Sequence, residues 1–225
     1  MRVTLNRDFY KGSDGSSLSD TRCEQMVLLF DMLNDIPDAF VTYKQIQEYA
    51  VTRSLYGNAK ADSVVRMYFP LLCKLGFAKN DDYIKTSDVF TESGKQMILL
   101  YRALGDAKRA NNQEVVDRLY DVKANLIQLG IKFWFNTESE KDNNIWLALD
   151  LFSQMETVDW DEFLYAIYLW HRGGNTSDIV STLINNRNNG VEYEFFKEDG
   201  KSLPDTTYTY IRALLIEAHI IRNIN

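Results

Sequence analysis

Apolar and polar positions in the first third of the chain alternate with the period of helices. Apolar residues recur every three or four positions from residue 23 to residue 33 and predict a first helix: Cys23, Met26, Val27, Phe30 and Leu33. Thr42-Tyr43-Lys44-Gln45 has the residues of a capping box, in which a hydroxyl and an amide side chain satisfy free backbone N–H groups. We therefore expect a second helix from this box to about Val51, after an irregular N-terminal arm that ends at residues 12–17.

A third helix and a pair of short strands are predicted next. The helix runs from about Asp62 to Leu75, with an apolar stripe that stops at Gly76, a residue typical of helix ends. Residues 77–79 and 83–86 read as two strands joined by the turn Asn80-Asp81-Asp82. Three helices followed by a hairpin is the order of a winged-helix module.

The second half of the chain repeats part of this pattern. Residues 158–163 align with residues 41–46 and mark another capped helix, after a helix predicted over residues 145–155. Residues 205–215 align with residues 62–72. The two offsets are 117 and 143 residues, so the second copy carries 26 extra residues, which hold a predicted helix over 176–187 and a hairpin-like segment over 191–196.

These patterns predict a mainly α protein with short β-hairpins, built from tandem winged-helix, or helix-turn-helix-like, modules. We expect an N-terminal arm plus the first module over residues 1–104, and a mostly helical connector over 105–143 with a possible strand at 131–135. The second module is expected over 144–225, with an incomplete wing at Ile220–Ile224. Because that edge strand would lack a partner, the sequence suggests a fragment of a longer protein.

Composition favours a folded, cytoplasmic protein without a membrane partner. The chain has 225 residues, 45% of them hydrophobic, with only three prolines and eleven glycines. It has no apolar run near the roughly 18 residues of a membrane span, and its first residues lack the apolar stretch of a signal peptide.

Charge is distributed unevenly. The formal net charge is −7, yet the window from Thr42 to Lys85 holds seven basic and four acidic residues, which is +3 and leaves −10 for the rest. Phosphate contacts need Lys and Arg, so this window is the favoured location for any nucleic-acid contact.

Catalytic and metal-binding patterns are weak. Asp-x-Lys, which occurs in metal-dependent nucleases, appears at residues 106–108, 121–123 and 199–201, but the first two lie on predicted helices and the third on a turn. His171 and His219 each end a predicted helix, where capping is expected, and Cys23 and Cys73 read as buried free thiols. No phosphate-binding glycine loop occurs. We expect no catalytic residue, metal or cofactor in this chain.

The third helix of each module and the loop before it hold the candidate contacts to duplex DNA. The N-terminal part of such a helix enters the major groove, where Arg and Asn read guanine and adenine edges. In the first module the candidates are Arg53, Tyr56, Asn58, Lys60, Ser63, Arg66, Lys79 and Lys85. In the second they are Arg187, Lys201, Thr206, Thr207, Thr209 and Arg212.

The four tryptophans could form a stacking platform for single strands. Most of them fall on apolar stripes, which favours core packing for Trp134, Trp146, Trp160 and Trp170.

Three stretches resemble the DNA-recognition region of type IIS restriction and nicking endonucleases, the AlwI-like and FokI-like group. These are residues 66–95, with Phe69-Pro70-Leu71-Leu72-Cys73-Lys74-Leu75-Gly76-Phe77 leading into Thr91-Glu92-Ser93-Gly94-Lys95, then 145–170 and 207–221. The likeness covers under half of the chain and consists mostly of apolar spacing. It implies tandem winged-helix-like subdomains that read an asymmetric site, with a magnesium-dependent nuclease domain beyond Asn225 or on another chain.

Two other functions fit the same patterns. One is a non-catalytic regulator or a replication or partition factor with the same fold. The other is a winged-helix protein-interaction scaffold, in which the third helices meet another protein and their polar side chains form a solvated face.

Overall fold

A computed structural model describes residues 2–6, 17–57, 61–137, 144–196 and 206–223; the side chains of 196, 206 and 207 are not described. In these ranges the chain is mainly helical. The helices are α1 (Asp20–Asn34), α2 (Tyr43–Thr52), α3 (Ala61–Lys74), α4 (Glu92–Arg109), α5 (Gln113–Thr137), α6 (Asn144–Gln154), α7 (Trp160–Trp170), α8 (Thr176–Asn188) and α9 (Thr206–Glu217). The strands are β1 (Arg2–Asn6), β2 (Phe40–Val41), β3 (Ile84–Lys85) and β4 (Glu192–Phe196).

The chain divides into two compact units, and each combines separated segments. Met1–Asp14 with Phe135–Arg212 forms one unit, and Gly15–Trp134 with Ala213–Asn225 forms the other. The first holds nine basic and sixteen acidic residues, and the second holds sixteen of each. We therefore call them the acidic unit and the neutral unit. The boundaries predicted after residues 104 and 143 divide the chain sequentially, whereas these units do not.

In the neutral unit, α1, α2 and α3 lie close to the ranges that the local sequence predicts. At the start of α2, Thr42 N–H donates to Gln45 Oε1 at 2.8 Å and Gln45 N–H donates to Thr42 Oγ1 at 3.2 Å, which confirms the capping box. α3 is followed by Gly76 with a φ of +69°, a left-handed conformation that favours glycine. Gly94 is required near the start of α4, because a Cβ there would lie 2.0 Å from the carbonyl oxygen of Phe77.

The predicted hairpin after α3 is wrong in its pairing. β3 pairs with β2 in antiparallel register, with Val41 opposite Ile84, and Ala78 forms a bridge with Phe90. The reason is burial: Val41, Ile84 and Phe90 are all buried, so the segments pair where these side chains reach the core. A local turn sequence carries no information about such distant partners.

Residues 131–135 are helical, so the predicted strand there is wrong. Ile127, Ile131 and Trp134 continue one buried face of α5 at intervals of four and three residues. Their aromatic and branched composition resembles a strand, but burial against the rest of the neutral unit keeps them in the helix.

The acidic unit contains the second capping box and a parallel strand pair. Asp159 caps α7: Glu162 N–H donates to Asp159 Oδ1 at 2.8 Å, and Asp159 N–H donates to Glu162 Oε2 at 3.1 Å. β1 pairs in parallel with β4, from Arg2 opposite Glu192 to Asn6 opposite Phe196. The predicted irregular arm is therefore a strand over residues 2–6, and the predicted hairpin at 191–196 is a single strand. A parallel partner 190 residues away has no local sequence signal.

The predicted strand at Ile220–Ile224 is absent from its described part, Ile220–Asn223. His219, with a φ of +54°, ends α9, and the Ile220 N–H donates back to the Leu215 carbonyl oxygen at 2.9 Å. The backbone of this segment closes the end of a helix. It therefore does not extend as a sheet edge.

Candidate nucleic-acid interface

One face of α3 is exposed along the length of the helix. Val65, Tyr68 and Phe69 are buried, whereas Arg66 and Pro70 are exposed and Met67 is 42% exposed. Ser63 lies about one helical turn before both Arg66 and Met67 and is half-buried. The exposed face therefore presents a guanidinium and a thioether side by side on the part of α3 predicted to read bases.

A pair of tyrosines holds α3 against α1. The hydroxyls of Tyr56 and Tyr68 lie 2.6 Å apart, and each lies 3.4 Å from the carbonyl oxygen of Gln25. Burial raises the pKa of Tyr56 to about 12, although its hydrogen bond to Tyr68 acts in the opposite direction. Tyr56 was predicted as a DNA contact; the geometry favours a role in positioning α3.

The basic candidates of the neutral unit differ in their partners. Arg66 and Lys79 are exposed and form no ion pair with any described residue. Lys85 Nζ lies 3.7 Å from Asp38 Oδ2 and 5.9 Å from the centre of the Phe40 ring. Arg53 Nη1 lies 3.3 Å from Asp35 Oδ2. Asn58 and Lys60 lie outside the described residues.

An exposed aromatic pair stands on the β2–β3 side of the same unit. Phe40 is 56% exposed and Tyr83 is 68% exposed, and their ring centres are 6.4 Å apart. The sequence reasoning missed both residues. Their signal was a large aromatic residue directly before the buried residue of each short strand: Phe40 begins β2 and Tyr83 precedes β3.

The candidates of the acidic unit are less available. Arg187 donates to both oxygens of Glu162, from Nε at 2.8 Å and from Nη2 at 2.6 Å, and to the Thr157 carbonyl oxygen at 3.0 Å. Glu162 is buried, so Arg187 neutralises a carboxylate inside the unit. Thr209 and Arg212 are half-buried on α9. Thr206 and Thr207 belong to α9 without described side chains, and Lys201 lies outside the described residues.

A strongly acidic cavity of about 540 Å³ lies beside that ion pair. Its lining includes Asp159, Asp161, Glu192 and Glu194, with Arg2 bound to both strand glutamates at 3.2 and 3.6 Å. Burial, together with the charges of Asp159 and Glu162, raises the pKa of Asp161. Such an acidic surface repels phosphates. It is therefore a poor candidate for a DNA contact, in contrast to the exposed face of α3.

A buried polar cluster occupies the neutral unit. Lys123 is 1% exposed and binds Glu217 and Asp20, the latter at 3.3 Å from Nζ to Oδ1. Asp20 also accepts hydrogen bonds from Tyr101 at 2.8 Å and Tyr120 at 2.5 Å. The cluster joins α1, α4, α5 and the end of α9, so its first effect is to hold four helices together.

The same cluster explains one of the Asp-x-Lys sequences and one of the thiols. Lys123 ends Asp121-Val122-Lys123 on α5, where its ammonium lies inside the unit and not at a metal site. Burial raises the pKa of the Cys23 thiol to about 12, so Cys23 is a protonated core residue, as predicted. Cys73 is half-buried and free. Asp106-Ala107-Lys108 lies on α4, and residues 199–201 lie outside the described ranges. Across the described part of the chain, no three His, Cys, Asp or Glu side chains are grouped as a metal site requires.

The histidines lie at or just beyond helix ends, and two of the four tryptophans are core residues as predicted. His171 is the C-cap of α7, and His219 lies two residues after the end of α9. Trp134 and Trp170 are buried. Trp146 is half-buried and stacks on Trp170 at 5.1 Å between ring centres, while Trp160 is half-buried edge-on to Phe195.

In comparisons with known proteins, no family, no curated protein and no solved structure matches the chain. None of the described helices is long and apolar enough to cross a membrane.

Proposed function

We propose that the neutral unit binds double-stranded DNA sequence-specifically through the exposed face of α3. In this proposal the chain is the recognition region of a restriction or nicking endonuclease and carries no catalytic residue itself. Cleavage would belong to an attached nuclease domain or subunit that uses Mg²⁺. The observation that carries the proposal is the exposure of Arg66 and Met67 together on a helix whose opposite face is buried.

The chemistry of that face suits base recognition. An arginine donates two hydrogen bonds to guanine O6 and N7, and an apolar side chain contacts the thymine methyl group. Because Arg66 and Met67 are adjacent, one helix could contact a guanine and a thymine in neighbouring base pairs. The order α1, β2, α2, α3, β3 is compatible with a winged-helix module, in which the strands after the third helix lie beside the DNA backbone.

The charge distribution supports the neutral unit as the contact surface and argues against the acidic unit. The whole net charge of −7 lies on the acidic unit, where Arg187 is committed to Glu162. In the neutral unit, Arg66, Lys79 and Lys85 are exposed near α3 and β3 in sequence. The second module is therefore assigned no base contact.

The first test is a selection of duplexes from a random pool by the purified chain at two salt concentrations, followed by sequencing. Enrichment of an asymmetric motif containing a guanine next to a thymine, retained at the higher salt, is the expected result. With Arg66 assigned to a guanine and Lys79 and Lys85 left to contact phosphates, the logarithm of the affinity should fall with the logarithm of the salt concentration with a slope of roughly −2.

The matched variants are Arg66→Glu and Arg109→Glu. Both replace an exposed arginine of the neutral unit with an acid, but Arg109 lies at the end of α4, paired with Asp106. Arg66→Glu should reduce affinity for the selected duplex at least a hundredfold, and Arg109→Glu should change it less than threefold, by fluorescence anisotropy. Equal losses, or none, would place the recognition surface elsewhere.

The exposed Phe40 and Tyr83 favour one alternative, a protein-interaction scaffold, because aromatic residues are enriched in the cores of protein interfaces. The selection separates the possibilities. Binding without an enriched motif supports a general architectural or regulatory DNA-binding factor, and no binding at either salt supports the scaffold.

A further inference from the structure

The turn after α8 contains the only asparagine of the sequence that is followed by glycine. α8 ends at Asn188, Asn189 is its C-cap, and Gly190 follows with a φ of +59°. Asn189 and Gly190 are both exposed, and a Cβ on Gly190 would meet nothing within 4 Å. The side-chain amide of Asn189 and the backbone nitrogen of Gly190 therefore adjoin at an open part of the surface.

An asparagine side chain can react with the backbone of the residue that follows it. The backbone nitrogen attacks the side-chain carbonyl carbon, its proton leaves with the amide group as ammonia, and a five-membered succinimide forms. Water then opens the ring at either carbonyl, which gives aspartate or isoaspartate. A side chain on the following residue hinders the attack, whereas glycine has none and reaches backbone conformations that other residues avoid.

Hydrogen bonds at the end of α8 hold the reacting groups in the folded state. Asn189 Nδ2 donates to the Asn185 carbonyl oxygen at 2.8 Å and to Asn185 Oδ1 at 3.1 Å, and the Gly190 N–H donates to the Arg187 carbonyl oxygen at 3.1 Å. All three bonds lie at the exposed end of a helix, and such ends open at a low free-energy cost while the core stays folded. The attack therefore needs only a brief opening of the C-cap.

The other asparagines near this turn serve as internal references. Asn185 and Asn186 lie inside α8 and precede Asn186 and Arg187. Asn188 is exposed at the last position of α8, but it precedes Asn189, whose side chain hinders the attack. Asn188 and Asn189 thus share their exposure and their place at the helix end, and they differ in the residue that follows.

We propose that Asn189 is a site of spontaneous deamidation and that the product weakens the end of α8. The conversion replaces an amide that donates to the Asn185 carbonyl oxygen with a carboxylate that repels it. It also places a negative charge at the C-terminus of a helix, where the helix dipole disfavours it. Arg187, which neutralises the buried Glu162, lies in that last turn. The modification is independent of DNA binding, because it needs only water and this segment.

The test is incubation of the full chain in mildly alkaline buffer at physiological temperature, followed by tryptic digestion and mass spectrometry. Cleavage after Arg187 and Lys197 leaves Asn188 and Asn189 in one peptide, and a sample digested without incubation gives the starting value. Asn189 should convert to two separable products, aspartate and isoaspartate, about tenfold faster than Asn188 or more, because only Asn189 precedes glycine. Asn189→Gln is the matched control: it keeps an amide, but its reaction would need a six-membered ring, so this variant should keep its mass.

The consequence for α8 is tested with two variants that add the same charge. Asn189→Asp should lower the melting temperature, and Asn188→Asp should lower it less, because only the former removes the hydrogen bonds to Asn185. Equal conversion of Asn188 and Asn189 would overturn the site, as would an Asn189 that stays an amide while a synthetic peptide of residues 185–193 converts. Equal melting temperatures of Asn189→Asp and the wild-type protein would overturn the effect on α8.

Discussion

The two units each hold a cation against carboxylates in their interior, but they bury opposite members of the pair. In the neutral unit the cation is buried: the Lys123 side chain is 2% exposed, while Glu217 and Asp20 are 33% and 37% exposed. In the acidic unit the carboxylate is buried: Glu162 is 5% exposed and Arg187 is 44% exposed. Because an unpaired buried charge is costly, the effect of a mutation depends on how many carboxylates lose their cation and on which hydrogen bonds those carboxylates keep.

The groups that surround the two buried charges also differ between the units. Burial lowers the pKa of Lys123, but the carboxylates of Glu217 and Asp20 outweigh that effect and raise it overall, so Lys123 stays charged. Glu162 instead serves twice, as the partner of Arg187 and as part of the α7 capping box. The first cluster joins four helices, and the second joins the end of α8 to the start of α7.

The largest expected effect is that of Lys123→Met. The substitution removes the only cation that binds both Glu217 and Asp20 among the described residues, and it leaves those carboxylates partly buried. We expect a loss of about 3 kcal/mol in the free energy of unfolding of the neutral unit, because two carboxylates that are about two-thirds buried lose their shared cation. Urea unfolding followed by circular dichroism measures it.

Lys108→Met is the control for that variant. Lys108 Nζ also binds Asp20, at 3.1 Å, but its side chain is 46% exposed. Its loss should cost within about 1 kcal/mol, as for other solvated ion pairs. Equal losses for the two lysines would contradict the view that burial of Lys123 is what matters.

Arg187→Met should have an intermediate effect on the acidic unit. Glu162 would remain buried with its capping-box hydrogen bond but without a cation, at a cost of about 1–2 kcal/mol. Arg2→Met, which breaks an ion pair with Glu192 at 62% and 72% exposure, should cost less than about 0.5 kcal/mol. Thermal melting of both variants beside the wild-type protein shows which variant loses more stability. A larger loss of stability in Arg2→Met than in Arg187→Met would contradict the view that burial of Glu162 makes its ion pair the more important one.

The smallest expected effect is that of Asp161→Asn, and the pH dependence behind it has the opposite sign to that of Asp20 in the neutral unit. The pKa of Asp161 in the acidic unit is raised by burial and by Asp159 and Glu162, so its ionised form costs stability at neutral pH and that cost disappears as pH falls through the raised pKa. Asp161→Asn should therefore raise the melting temperature slightly at pH 7, and the gain should vanish under acidic conditions.

Asp20 in the neutral unit provides the comparison. Burial opposes its ionisation, but hydrogen bonds from Tyr120, Tyr101 and Lys108 and the charge of Lys123 lower its pKa well below the ordinary value. Its contribution is present above the unfolded pKa of about 4 and is lost as pH falls below it. Asp20→Asn should consequently lower the melting temperature at pH 7. A shift of the same sign in both variants would refute the contrast.

Much of the local structure could be predicted from the residues. Both capping boxes, at Thr42 and Asp159, are confirmed, because the groups involved are three residues apart and need no tertiary partner. α1, α3 and α8 follow from apolar spacing alone. The exposure of Arg66 follows from its place beside the apolar stripe of α3.

The errors concern pairings between distant segments. No neighbouring turn sequence specifies that β1 pairs with β4 or that β2 pairs with β3. A separate error concerns residues 131–135, which have the composition of a strand but lie in a helix. Lys123, a lysine in a polar-looking Asp-x-Lys sequence, gives no local sign that its ammonium is buried. From the sequence, Arg187 likewise resembles a free basic residue, because its partner Glu162 lies 25 residues earlier and only the fold brings the two together.

The sequence by itself therefore determined where most helices begin and end and which residues could carry charge, since capping and apolar periodicity act over three to four residues. Only the tertiary structure decided which strands pair, which cations are neutralised inside the protein and which apolar side chains stay exposed. These outcomes depend on burial summed over segments far apart in the chain, and burial is a property of the packed unit as a whole.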